Sequence, residues 1–116
     1  MIFNQDFETL APAAMSCHQA DRLGRLADVL YRRVPFYHRK MDEAGVKPQD
    51  IQDISDIVRL PFTTKDEMRE VYPYGLLSVS LQDIVEVHTS SGTTGTPVVD
   101  AYTAGDIEVW DRKSVV

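Results

Sequence analysis

The sequence predicts an α/β protein, α+β over these residues, in which N-terminal helices precede a strand–glycine loop–strand unit. Three observations predict it. Leu23, Leu26, Ala27, Leu30, Tyr31 and Val34 recur at helical spacing, whereas Ile84-Val85-Glu86-Val87-His88 and Val98-Val99-Asp100-Ala101-Tyr102 have the β-branched character of strands. Between those strands lies Thr89-Ser90-Ser91-Gly92-Thr93-Thr94-Gly95-Thr96-Pro97, rich in hydroxyls and punctuated by glycines.

At 116 residues the chain has room for one domain or a piece of one. It is 43% apolar and 26% charged, and no run approaches the roughly 20 apolar residues of a transmembrane helix. A membrane partner is therefore not expected. The N-terminus lacks a basic start with a continuous apolar run, and the single Cys17 cannot form an internal disulfide, so a cytoplasmic location is expected. The net charge of −6 comes from scattered acids, which argues against nucleic acid as a partner.

In chain order, residues 1–15 show no sustained period and read as a connector or N-terminal arm; residues 16–116 form the remaining division. Ser16 with Gln19 fits a capping box opening the first helix, whose outer face carries Arg22, Arg25, Asp28, Arg32 and Arg33. Pro35 suits the first turn of a second helix, which Gly45 can close in the left-handed conformation. A DNA-reading helix–turn–helix is disfavoured, since the second helix carries Asp42 and Glu43. Packing is the expected role.

Asp50, Asp53 and Asp56 alternate with Ile51, Ile54 and Ile57, a spacing that a short helix resolves into an isoleucine stripe and a solvated acidic face. No His or Cys lies among these acids and no calcium-loop pattern is present, so no metal is assigned. Leu60-Pro61-Phe62 reads as extended, and Thr64 with Glu67 as a second capping box ahead of a short helix through Tyr72. That helix stops at Pro73-Tyr74-Gly75. Ser80 can cap one turn at Leu81-Gln82-Asp83 before the first strand. The second strand is read over Pro97–Tyr102, and Thr103 with Asp106 forms a third capping box leading into Ile107, Val109 and Trp110. The final helix carries no closing Gly or Pro before Val116, which suggests a fragment.

The loop's composition suits phosphate. Glycine tolerates positive φ and leaves the backbone uncovered, so successive N–H groups can face one anion while Ser and Thr hydroxyls add donors. The mononucleotide pattern Gly-x-x-x-x-Gly-Lys-Ser/Thr before a helix is absent, because Gly92 and Gly95 lead into Thr96-Pro97 and a strand. The dinucleotide fingerprint lacks its third glycine and its helix start. An RNA-clamping Gly-x-x-Gly would sit between helices among basic neighbours, which are missing here.

The string Ser90-Ser91-Gly92-Thr93-Thr94-Gly95-Thr96-Pro97 resembles the phosphate-binding loop of the adenylate-forming superfamily of acyl-CoA synthetases and ligases. Val34-Pro35-Phe36-Tyr37, Asp42-Glu43-Ala44-Gly45-Val46, Leu60-Pro61-Phe62-Thr63-Thr64-Lys65 and Tyr72-Pro73-Tyr74-Gly75-Leu76 resemble, in order and spacing, the N-terminal part of phenylacetate–CoA ligases. The resemblance runs from about Leu23 onwards. It implies that residues 16–116 are the truncated N-terminal portion of a large AMP-binding domain, inactive alone. It also implies ATP, Mg²⁺ and coenzyme A as cofactors and a small carboxylic acid, an aryl-acetate or related acid, as substrate. The acid would attack the α-phosphate of ATP, giving acyl-adenylate and pyrophosphate, and the CoA thiol would then displace AMP. Ser90, Ser91, Gly92, Thr93, Thr94, Gly95 and Thr96 would hold the β- and γ-phosphates. Resembling ligases are often dimers, which makes a homodimer an implied partner. Many members carry lysine at the place of Thr96, so this loop has one cation fewer. The resemblance carries no catalytic residue onto the chain.

Strand-end packing or hydrogen bonding is the expected role of His88, and a solvated surface that of Lys65. Tyr102 and Trp110 are read as core aromatics rather than nucleotide stackers. The alternative reading of the whole chain is a non-catalytic helical binding module that keeps the loop only as a Gly-x-x-Gly hairpin.

Overall fold

The structure is a computed structural model that describes residues 2, 4–90 and 95–114. It divides into two compact units, Met1–Phe62 and Thr63–Val116.

The first unit is helical. A single turn, α1 (Gln5–Glu8), precedes the long α2 (Pro12–Arg33), after which come α3 (Pro35–Glu43) and two short 3-10 segments, Pro48–Asp50 and Ile54–Arg59. Helix α2 starts before the expected Ser16 cap, and residues 12–15, read from sequence as connector, form its first turn. Pro12 stands at the start, where its fixed φ suits the helix and its missing N–H leaves nothing unpaired. Met15 N donates to Ala11 O at 2.9 Å, which places Ser16 inside the helix.

Val34 is the hinge between α2 and α3. Its residue type is extended by the proline that follows it, with φ −120° and ψ 101°. Its N–H reaches Leu30 O at 3.0 Å and its carbonyl accepts from His38 N at 3.0 Å, so one residue closes one helix and opens the next. Its side chain is fully buried. At the far end of α3, Gly45 takes φ +68°, and Val46 N returns to Met41 O at 3.0 Å. These turns bring Ala27, Met41, Val46 and Ile51 together as a core, flanked by Leu23, Tyr31 and Leu60. Leu26, expected in this stripe, is 53% exposed. At 100° per residue it lies about 90° from the direction shared by Ala27 and Val34, beyond the edge of the apolar face.

The expected isoleucine stripe does not form either. Ile51 is buried between the two 3-10 segments, while Ile57 is more than half exposed. The acids explain the break. Asp50 Oδ2 accepts from Lys47 N at 2.8 Å, Asp53 Oδ1 from Ser55 N at 3.3 Å, and Asp56 Oδ2 from Gln52 N and Asp53 N at 3.0 and 2.9 Å. Carboxylates that cap the backbone locally compete with a continuous α-helix. The acids therefore organise turns as well as facing water.

The second unit opens with the Thr64–Glu67 capping box, in which Thr64 N donates to Glu67 Oε2 at 2.8 Å and Glu67 N to Thr64 Oγ1 at 3.2 Å. It starts α4 (Lys65–Glu70), which is followed by a turn containing a cis Tyr72–Pro73 peptide. Ser80 Oγ accepts from Gln82 N at 3.3 Å and caps the 3-10 turn Leu81–Asp83. Strands β1 (Ile84–Thr89) and β2 (Val99–Thr103) pair antiparallel, with Glu86 opposite Tyr102, Val87 opposite Ala101, His88 opposite Asp100 and Thr89 opposite Val99. The second strand starts at Val99 rather than Pro97, which has no N–H to give the ladder. Helix α5 (Ala104–Ser114) follows directly, its first turn fixed by Thr103 N to Asp106 Oδ2 at 2.9 Å and Asp106 N to Thr103 Oγ1 at 3.2 Å. The mixed helical and two-stranded architecture is the α+β arrangement the sequence predicts. Among the described residues the buried ones, Ala27, Val34, Phe36, Met41, Val46 and Ile51, all lie in the first unit.

Candidate functional site

The hairpin loop is tied at its base. Ser90 N donates to Val98 O at 2.9 Å, and Val98 N donates back to Ser90 Oγ at 2.9 Å. A hydroxyl has one proton and two lone pairs, so Ser90 Oγ keeps its donor after accepting from Val98. Gly95 has φ +88°, a conformation in which an L side chain is strained, and no described residue lies within 4 Å of where its Cβ would stand. Gly95 and Thr96 are both exposed. Ser91, Gly92, Thr93 and Thr94, the other residues read as phosphate-binding, lie outside the described residues. From Thr89 to Pro97 the sequence has hydroxyls and glycines but no cation and no carboxylate, so any anion held there would be held by N–H and O–H donors alone.

Below the loop, β1 presents Glu86 and His88 on one face, as the alternation of a strand requires. His88 Nε2 stands 2.5 Å from Glu86 Oε2. The imidazole ring packs against Tyr102 from β2 and Trp110 from α5, with both centroid separations 5.3 Å, and Tyr102 and Trp110 are themselves 5.4 Å apart. His88 is thus both hydrogen-bonded and packed at the strand end. Trp110, read from sequence as a core aromatic, is 44% exposed; it closes the ring cluster but is not enclosed by it.

The resolved shifts in acidity lie elsewhere, in the helical unit. Asp42 Oδ1 accepts from Lys47 Nζ and from the Tyr31 hydroxyl at 2.8 Å, and Lys47 Nζ also reaches the Tyr31 oxygen at 2.7 Å. The lysine, and after it the tyrosine, holds the Asp42 carboxyl below its usual value, while the Lys47 ammonium is raised in turn by Asp42. His38 stacks on the Tyr31 ring at 4.0 Å and faces Asp42 Oδ2 at 3.2 Å. Residues 31, 38, 42 and 47 come from α2, α3 and the turn after them, so no local sequence spacing announced the group. Only the i,i+4 pair His38/Asp42 was legible. Its groups satisfy one another at the surface and join three segments. The same unit has an open groove of about 750 Å³ beside α2, lined in part by Cys17, Asp21, Gly24 and Gln52.

None of the described helices is long and apolar enough to cross a membrane. No family model matches the chain. Among curated proteins it is 44% identical over 110 residues to the phenylacetate-coenzyme A ligase of Thermus thermophilus, covering 95% of this chain and 25% of that protein. It is 41% identical over 113 residues to the enzyme of the same name from Escherichia coli K12, covering 95% of this chain and 26% of that protein. The structure superposes on a 2-hydroxyisobutyryl-CoA ligase in complex with 2-HIB-AMP and CoA, with a TM-score of 0.78 and 31% identity, over 84% of this chain and 22% of that one. The same ligase in the postadenylation state gives a TM-score of 0.76 with 28% identity.

Fold and sequence together define the class: the chain has the architecture of the N-terminal region of an adenylate-forming acyl-CoA ligase. Within that class its sequence matches a segment of proteins named phenylacetate–coenzyme A ligase. It spans about a quarter of the length of the curated relatives it matches.

Proposed function

We propose that this chain is the N-terminal portion of an ATP-dependent carboxylic acid–CoA ligase and forms part of its adenylate-forming domain, with α2 entering that domain at Pro12. Its substrate is phenylacetate or a related aryl-acetate. The acid oxygen attacks the α-phosphorus of ATP, the bond to pyrophosphate breaks, and the acyl-adenylate results. The CoA sulfur then attacks the acyl carbon, loses its proton, and releases AMP. The observation that carries this reading is the 44% identity to a phenylacetate-coenzyme A ligase along a stretch that includes the hydroxyl- and glycine-rich loop.

In this reading Ser90, Ser91, Gly92, Thr93, Thr94, Gly95 and Thr96 cradle the β- and γ-phosphates through backbone N–H groups and hydroxyls. The Ser90 hydroxyl, with its proton still to donate, and the positive φ of Gly95 support it. Such donors act by positioning the departing pyrophosphate and by stabilising its charge. Mg²⁺ bound with the nucleotide would supply further charge neutralisation beside these donors.

ATP–pyrophosphate exchange dependent on phenylacetate tests the reading in a full-length ligase carrying this segment. Gly92→Val is expected to lower exchange by about 10²-fold or more, the scale of losing oriented donors at a developing charge. Exchange unchanged in the variant would refute the loop assignment. The 116-residue chain alone is expected to give no exchange.

A further inference from the structure

We propose that His88 is a positioning residue that couples anion occupancy at Ser90 and Thr96 to the Tyr102–Trp110 ring pair. The proposal rests on the reading of the loop as a phosphate site. Three observations carry it.

First, His88 stands two positions before Ser90 on β1, and Ser90 is bonded twice to Val98. A shift of Ser90 towards an anion therefore moves both strand ends together. Ser90 Oγ sits at the junction, accepting from the ladder while its proton is free to reach an anion.

Second, the imidazole cannot turn freely. A carboxylate only accepts, so at 2.5 Å His88 Nε2 donates to Glu86 Oε2, and this bond aligns the ring along the strand. The Glu86 bond thus fixes which ring edge faces along the strand.

Third, the ring is one corner of a closed triangle. Tyr102 and Trp110 each lie 5.3 Å from it and 5.4 Å from one another, so displacing one ring displaces the next. The triangle joins β1, β2 and α5. His88 is consequently the residue through which a change at the loop base reaches the helix, and Glu86 keeps it in register.

Trp110 is the sole tryptophan of the chain, so its emission reads the triangle directly. The experiment titrates the chain with inorganic pyrophosphate and with Mg-ATP, following Trp110 emission and, in parallel, binding by equilibrium dialysis. A saturable emission change at the dialysis midpoint is expected. Two variants separate positioning from packing: His88→Phe keeps an aromatic ring in the triangle but has no Nε2 to bond Glu86, and Glu86→Ala keeps the imidazole but removes its acceptor. Both are expected to bind about tenfold more weakly, the size of one lost charge-assisted hydrogen bond, and to lose the emission response. Wild-type affinity and response in His88→Phe would overturn the positioning role while leaving the phosphate site standing. No binding by the chain in dialysis would overturn the coupling at Ser90 and Thr96, whereas the phosphate reading itself falls on unchanged ATP–pyrophosphate exchange in Gly92→Val of the full-length ligase.

Discussion

Replacing Met41 by alanine tests where the first unit keeps its stability. Met41 is 2% exposed and packs with Ala27, Val46 and Ile51, whereas Leu26 on α2 is 53% exposed. Truncating a buried methionine costs about 2–5 kcal/mol, from lost transfer free energy and from the cavity left behind. For a unit of this size each kcal/mol moves the melting point by about 4–8 °C, so a loss near 3 kcal/mol corresponds to about 12–24 °C. Leu26→Ala likewise cuts a side chain back to a methyl yet removes little from the core, and stays within about 0.5 kcal/mol. Far-UV circular dichroism during urea unfolding is the assay, because α2 and α3 supply most of the helix; Trp110 emission follows the second unit separately. The urea midpoint by circular dichroism should fall sharply for Met41→Ala and hold for Leu26→Ala. Equal losses in the two variants would refute the assignment of the core.

Two further outcomes follow from local geometry and charge. A Cβ at Gly75 would stand 2.5 Å from Val71 Cβ and 2.6 Å from Val71 O, so Gly75→Ala must open the turn that the Gly75 N to Val71 O bond closes. A destabilisation of about 1–3 kcal/mol is expected, read as faster amide exchange at residue 75, and unchanged exchange would count against it. Asp56 is held below the usual carboxyl value of 3.8 by the N–H groups of Asp53 and Gln52, and Asp42 by Lys47 and then Tyr31. A depressed folded value means the stabilisation is complete above 3.8 and fades as pH falls through the lower folded values. Lys47 works in the other direction: its ammonium is raised, so its share is complete below 10.5 and fades only as pH rises through the folded value. Asp56→Asn should flatten the acid limb of the unfolding profile, and an identical profile would remove Asp56 from the account.

The helices and their punctuation were legible because the signals are local. Pro35, Gly45, the Thr64–Glu67 and Thr103–Asp106 boxes and the Ser80 cap each act within a few residues, and each stands as its chemistry requires. The start of α2 departs from the Ser16 box that spacing points to, because Pro12, with its fixed φ, already opens the helix. The isoleucine stripe failed for a related reason: Asp53 and Asp56 were weighed as a face when their oxygens were bound to backbone N–H groups. Of the candidate site, the loop's chemistry could be read from residue types. The ring triangle could not, since Trp110 lies far along the chain from His88 and meets it only through β2 and the α5 cap.

The double link between Ser90 and Val98 separates what the hairpin needs in order to fold from what lies beyond its base. Loop closure costs only about 0.6 kcal/mol more for each doubling of loop length, so length added past the tie weighs little on the strands. Folding constrains the two residues that knot the base and Gly95, whose φ of +88° strains an L side chain. Mutational tolerance at Ser90, Gly95 and Val98 therefore reports on architecture, and tolerance at the exposed Thr96 reports on recognition. A loop built in this way can be remodelled for a different anion without first rebuilding the sheet that carries it.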